Sequence, residues 1–236
     1  MNKPATIREQ VMDDLGRRII AGDFAENEPI PPETQLASDF GVSRIVVREA
    51  VKSLAAKGLV RSRQRTGTRI EPRTGWNLLD PQVLDWQAEH GLDDALIAEL
   101  EELRRIIEPA AARLAAARAT DAERHAIRSA YEQMAATLGN RDAYTVADLA
   151  FHGAILDACG NRFLQQLRGA LSQVLTTSFR ASLRNAEQSR AALALHRELL
   201  VAIEARDPDA ADAAVGRLID SAAHNLRRAC KGRGVP

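Results

Sequence analysis

Apolar residues recur at helical spacing along almost all of this chain, and the stretch that departs from the rule follows Gly58. A 3.6-residue period builds a half-buried helix, whereas a half-buried strand needs strict alternation. The chain is thereby bounded to a mainly α fold with one small β element. Ile7, Val11, Leu15 and Ile19 head the first helical segment, with Met12 and Ile20 beside them and Gly22 as its stop. The run ENEPIPPE cannot lie inside a helix and reads as a turn. A short helix is expected over 33–40, broken by Gly41. Ser43 is placed to cap the next one, which carries Val46, Val47, Ala50, Val51 and Leu54 on its apolar side and should end near Gly58. Residues 59–63 and 68–70 are β-compatible, with a turn-like stretch between them. Two short helices joined tightly at Gly41, then a hairpin, have the layout of a winged helix-turn-helix.

Pro72 and Gly75 mark 72–80 as a connector, so the expected domains are 1–71 and 81–236. Trp76 and Leu78 suggest that the connector docks on a surface. Beyond Pro81 the pattern is helical, with segments expected near 81–90, 93–118, 121–138, 142–158, 161–184, 189–206 and 208–229. Pro109 sits inside the second of these, where it kinks or splits a helix. Seven helices with short links read as an antiparallel bundle.

The chain's 32 basic and 32 acidic residues sum to zero, which argues against a polybasic tail. Their distribution says more. Residues 43–73 hold nine basic side chains and two acidic ones, a local charge of +7, against −4 over 1–42 and −3 over the rest. The positive charge falls on the second helix of the motif and the wing, where phosphates are neutralised and bases read. Arg44 and Arg48 lie one turn apart on one face, and an arginine can grip guanine through two hydrogen bonds. Ser43 at the helix start suits a phosphate, and Gly67 lets the wing tip approach a groove. No apolar run reaches the length of a bilayer span, the start MNKPATIREQ lacks the apolar centre of a signal peptide, and Cys159 and Cys230 form no paired motif. A cytoplasmic setting is expected, with no membrane partner. Walker, HExxH, GxSxG and dinucleotide motifs are absent, and no enzyme activity is expected.

Within the second half, Asp148 and His152 project from one helix face, a spacing at which a carboxylate and an imidazole can share a divalent metal. Arg104 offers a fork suited to a carboxylate, or an ion pair to Glu101 or Glu108 on its own helix.

The segment IPPETQLASDFGVSRIVVREAVKSLAAKGLVRSRQRTGTRI resembles the winged helix-turn-helix of the GntR family of bacterial transcription regulators. The pieces that carry the resemblance are Pro32-Glu33, Leu36-Ala37, Gly41-Val42-Ser43-Arg44, Val47-Arg48-Glu49-Ala50, Gly58-Leu59-Val60 and Gly67-Thr68. It implies DNA contacts from Ser43, Arg44, Arg48, Arg65, Gly67 and Thr68. Thr34 stands where the family usually has arginine. The helical half is similar to the FadR-type effector domain, FCD, through Leu103-Arg104, Glu108-Pro109-Ala110-Ala111, Asp148 with His152, Gly160-Asn161 and His196-Arg197. That likeness implies an effector pocket with Arg104, Asp148, His152, His196 and His224. It also implies a divalent metal of the Zn, Ni or Mn type on Asp148, His152 and His196. Leu218 occupies the position of the family's further histidine, and His224 lies six residues on, on another face. The stretch from Gly75 to Trp86 is similar to the family's regulators of sugar-acid catabolism. The resulting expectation is a homodimeric repressor that binds a palindromic double-stranded operator under control of a small carboxylate, a sugar acid. The rival readings are a metal-dependent hydrolase or lyase and an effector-independent DNA-binding protein.

Overall fold

The computed structural model describes residues 5–63, 67–91, 93–172, 175–176 and 186–231. Three helices open the chain: α1 (Ile7–Ala21), α2 (Glu33–Asp39) and α3 (Arg44–Ala56). Thr6 and Glu9 close a reciprocal capping box on α1, and Ser43 accepts a hydrogen bond from the Val46 amide at the start of α3. Between α2 and α3, Gly41 takes a φ of 63°, a conformation that a side chain would strain. Strands β1 (Val60–Arg63) and β2 (Gly67–Ile70) pair antiparallel, with Val60 opposite Ile70 and Arg63 opposite Gly67.

The run at 26–33, read as a turn, does more than turn. Ile30 donates to the Thr68 carbonyl, Ile70 donates to Glu28, and Asn27 donates to Ile70, so this segment bridges onto the open edge of β2. Proline can sit there because the bridge is at an edge, where its missing N–H costs no ladder bond.

A short 3-10 turn (Arg73–Gly75) leads to α4 (Pro81–His90), started by Asp80 as cap and Pro81 in the first turn. The described chain divides into two compact units, 1–92 and 93–236. The segment 72–80, read above as a linker, and helix 81–90, read as the start of the second domain, both belong to the first unit. The reason is burial. Trp76, Val83 and Trp86 join the core built by Leu15, Ile19, Leu54 and Leu59, and the Lys57 ammonium pairs with Asp80 at 2.8 Å.

The second unit holds α5 (Asp94–Arg118), α6 (Asp121–Ala136), α7 (Arg141–Ala158), α8 (Arg162–Gln166), a further helix α9 described at 168–172 and 175–176, α10 (Ala186–Glu204) and α11 (Pro208–Lys231). Asp93, Thr120, Asn140 and Asn161 cap α5, α6, α7 and α8 with their side chains. The helix expected over 161–184 is interrupted at Leu167, and its end lies outside the described residues. Pro109 does not split α5, which runs through it without the N–H that would bond the Arg105 carbonyl. Ala112, Ala115 and Ala116 of α5 pack with Phe151, Ile155, Leu199 and Val215 in a core of small and large side chains. Among the described residues no helix is long and apolar enough to cross a membrane.

Candidate DNA-reading face and buried metal centre

In the first unit, α3 buries Val47, Ala50, Val51 and Leu54 and turns Arg44 and Arg48 outward. The Arg48 guanidinium rests on Glu33 at 3.1 Å, both side chains being partly exposed. Exposed pairs of this kind contribute little and exchange readily for a stronger anion. The sequence did not reveal this contact of Glu33, because its link to Arg48 spans the turn between α2 and α3. Among the described residues Arg44 makes no ion pair. On the wing, Gly67 has a φ of 79°, a Cβ there would meet nothing within 4 Å among the described residues, and the Thr68 and Ser62 hydroxyls meet at 2.9 Å. Arg65 lies outside the described residues. Some of the local positive charge is consumed inside the unit: Arg61 pairs with Glu71 at 2.7 Å, Arg69 donates to the Asn27 carbonyl, and Lys57 is held by Asp80.

In the second unit, five charged or titratable side chains are buried together: Arg104 and Glu108 on α5, Asp148 and His152 on α7, and His196 on α10. The i,i+4 spacing sets both pairs on single helix faces. The His196 ring donates through Nδ1 to the Ala192 carbonyl at 2.7 Å, and in the neutral imidazole that tautomer turns the Nε2 lone pair inward. The His152 Nδ1 faces Glu108 Oε2 at 3.3 Å, which favours the same tautomer when that ring is neutral. The two Nε2 atoms lie 3.3 Å apart, and Asp148 Oδ1 stands 2.7 Å from His196 Nε2 and 3.7 Å from His152 Nε2.

Three lone-pair atoms thus converge, and a cation is what separates such atoms without repulsion. Neither Asp148 oxygen accepts a hydrogen bond among the described residues, although both are buried. An orphaned buried carboxylate is costly unless something positive completes it. Ligand atoms on a tetrahedral metal with bonds near 2.05 Å lie about 3.3 Å apart, close to the spacing found here. The three residues therefore fit a divalent metal.

The surrounding charges agree. Burial pushes the Glu108 carboxyl up, but Arg104, whose Nε it holds at 2.6 Å, and the His152 ring bring it down to about 2. Burial pushes the His152 ring down, yet Glu108 and Asp148 outweigh it and raise its affinity for a proton. A group flanked by two carboxylates favours positive charge. Burial and the nearby Asp148 push the Tyr144 hydroxyl up, so it stays neutral. Phe151 lies edge-on to both imidazoles and packs them in place.

Beside the triad is a cavity with about 20 Å³ of free space, lined in part by Arg104, Tyr144, Leu218, Ser221 and Asn225. Arg104 lines this cavity while paired with Glu108. His224 does not line it: the residue is exposed, because it is six positions beyond Leu218 and points away. Ser221 and Asn225, three and seven positions beyond Leu218, share its face. That periodicity was present in the sequence and would have found them.

A winged helix-turn-helix joined to a helical unit with a buried ligand centre describes a ligand-responsive DNA-binding regulator. Residues 7–70 match the gntR family of bacterial regulatory proteins, and residues 99–221 match the FCD domain. The chain belongs to the gntR family and is a transcriptional regulator of its FCD branch. It is 36% identical to the galactonate operon transcriptional repressor of Escherichia coli K12, over 93% of this chain and 96% of that one. It is 29% identical to the HTH-type transcriptional repressor NanR of Cronobacter sakazakii, over 91% of this chain and 83% of that protein. Among solved structures it resembles a GntR protein of Streptococcus agalactiae, with 27% identity, a TM-score of 0.50, and 91% and 97% of the two chains covered. The Listeria monocytogenes regulator Lar shares its fold, with a TM-score of 0.67 at 18% identity over 96% and 99% of the chains.

Proposed function

We propose that the protein is a homodimeric repressor of sugar-acid catabolic genes, released or retained on a palindromic operator by an aldonate- or uronate-type effector. Ser43, Arg44 and Arg48 of α3, with Arg65, Gly67 and Thr68 of the wing, contact the operator. Two copies present two such faces to the two halves of the site. Asp148, His152 and His196 hold a divalent metal, and the metal supplies a Lewis-acidic position for the effector's carboxylate and neighbouring hydroxyl. Arg104, Ser221 and Asn225 supply the remaining donors. His224 is left out of this pocket.

The observation that carries the effector reading is the orphaned Asp148 carboxylate facing two imidazole lone pairs beside Arg104. Its charges sharpen it. Arg104 and Glu108 cancel, so with both imidazoles neutral, as metal ligation requires, Asp148 leaves one negative charge, which a divalent cation would turn into one positive charge suited to a monoanion. The likeness to the galactonate operon repressor supports a sugar acid. About 20 Å³ of free space accommodates an ion or a water but not a six-carbon acid. Effector entry therefore moves the lining helices, and such a change gives the ligand different affinities for two states, as a switch requires.

The test is a thermal-shift panel of aldonates, uronates and other carboxylates, with a divalent metal and with chelator. A sugar acid should stabilise the protein chiefly in the presence of metal. Equal stabilisation in chelator would refute the role of the metal, and no response from any sugar acid would refute the effector class. In a mobility-shift assay Arg48→Ala should abolish specific operator binding and keep the thermal response. Undiminished operator binding by that variant would sink the assignment of α3.

A further inference from the structure

Ile45 is out of place by the ordinary logic of an amphipathic helix. It is 72% exposed, whereas Val47, Ala50, Val51 and Leu54 of the same helix are at most 3% exposed. It lies in the first turn of α3, beside Arg44, with Arg48 three residues on and Lys52 seven residues on. The acidic residues at this face are both engaged, Glu49 by the Lys52 ammonium at 2.8 Å and Glu33 by the Arg48 guanidinium at 3.1 Å. The outward face of α3 is thus an aliphatic side chain set among cations. Such a face complements a surface that is anionic overall and apolar at one spot.

We propose that Ile45 reads the C5-methyl group of thymine in the operator and is a specificity-determining residue of α3. This rests on the DNA-binding reading above and names what that face selects. In the major groove the thymine methyl is the apolar group on a base-pair edge, and short aliphatic side chains pack against it. The β-branched isoleucine holds one strongly preferred rotamer on a helix, so it presents its methyl groups with little freedom left to lose. Arg44 and Arg48 on either side fix the register through phosphates and guanines, and Ile45 adds discrimination that neither charge can supply.

The experiment starts with operator duplexes selected by the full-length protein from a random pool. Each thymine of the selected site is then replaced in turn by deoxyuridine, which keeps base pairing and removes only the methyl group. Affinities are measured for the wild type, Ile45→Ala and the conservative Ile45→Val. For the wild type, one or two positions in each half-site should lose about fourfold in affinity, the equivalent of about 0.8 kcal/mol for one buried methyl group. Ile45→Ala should bind the thymine operator several-fold more weakly and be indifferent to uracil at those same positions, and Ile45→Val should keep part of the penalty. Because the side chain is exposed, these variants should fold as the wild type does, which their circular dichroism and melting point report. A uracil penalty that persists in Ile45→Ala, or its absence from the wild type, overturns the proposal and leaves the DNA-binding reading standing. A pool that yields no preferred sequence overturns that reading itself.

Discussion

Gly16 on α1 is the hole into which Trp86 of α4 fits, and a single methyl group should reveal it. A Cβ at position 16 would stand 2.6 Å from Cη2, 2.6 Å from Cζ3 and 2.7 Å from Cζ2 of that ring. Carbon atoms in contact sit about 3.5–4.0 Å apart, so the overlap is on the order of 1 Å. Trp86 is 2% exposed and its rigid ring has nowhere to retreat. Gly216 on α11 provides the control: it too is helical, and a Cβ there meets nothing within 4 Å among the described residues. Either glycine-to-alanine change gains about 1 kcal/mol of helix propensity. Gly16→Ala alone also incurs an overpacking cost of about 1–3 kcal/mol. Gly216→Ala should therefore stabilise its unit, and Gly16→Ala should fall short of that gain by the overpacking cost. Both tryptophans, Trp76 and Trp86, belong to the first unit. Indole fluorescence in a urea titration consequently follows that unit, and far-ultraviolet circular dichroism is weighted toward the longer second one. The expected result is a lowered or unmoved fluorescence midpoint for Gly16→Ala and a raised dichroism midpoint for Gly216→Ala. If Gly16→Ala raises its midpoint as much as Gly216→Ala does, the reasoning that seats Trp86 on Gly16 is refuted.

Two further substitutions probe the second unit. Glu108→Leu leaves the Arg104 guanidinium, 3% exposed, without its counter-charge, and should cost about 3–5 kcal/mol in chemical denaturation. Adding Arg104→Leu should restore most of that loss, and a Glu108→Leu protein of wild-type stability would contradict the pairing. Leu218→His sets an imidazole on the cavity rim beside the triad and should tighten divalent metal at least about tenfold, as titration calorimetry would read. Unchanged affinity would mean that the α11 face does not reach the metal position.

The parts of the fold that are written locally were legible. Capping residues such as Thr6, Ser43, Thr120 and Asn140 announce helix starts through bonds to amides within three positions, so α1, α3, α6 and α7 could be read without knowing what they pack on. The pairing of 27–30 with β2 was not legible, because its partners lie about forty residues away and its proline reads as a turn. For the same reason α4 was assigned to the wrong side of the boundary: composition marks a proline and a glycine, but only packing tells that Trp76 and Trp86 are buried against α1 and α3.

The buried centre divides along the same line. Asp148 and His152 declare themselves by i,i+4 spacing, but His196 is forty-four residues from His152 and entered only through the family likeness. Glu108 was visible as a helical neighbour of Arg104 and as part of a family motif, yet its second oxygen faces His152 and so helps decide which imidazole nitrogen points inward. His224 shows the opposite failure, where residue type outweighed phase. At 100° a residue, six positions from Leu218 is about 120° off its face, whereas Ser221 and Asn225 stay within about 60° of it. A histidine attracts attention by its chemistry, but a helix delivers to a cavity only what its rotation allows. The same weighting hid Ile45, since an isoleucine on an amphipathic helix is assigned to the core unless its angle is checked against Val47, Ala50 and Leu54.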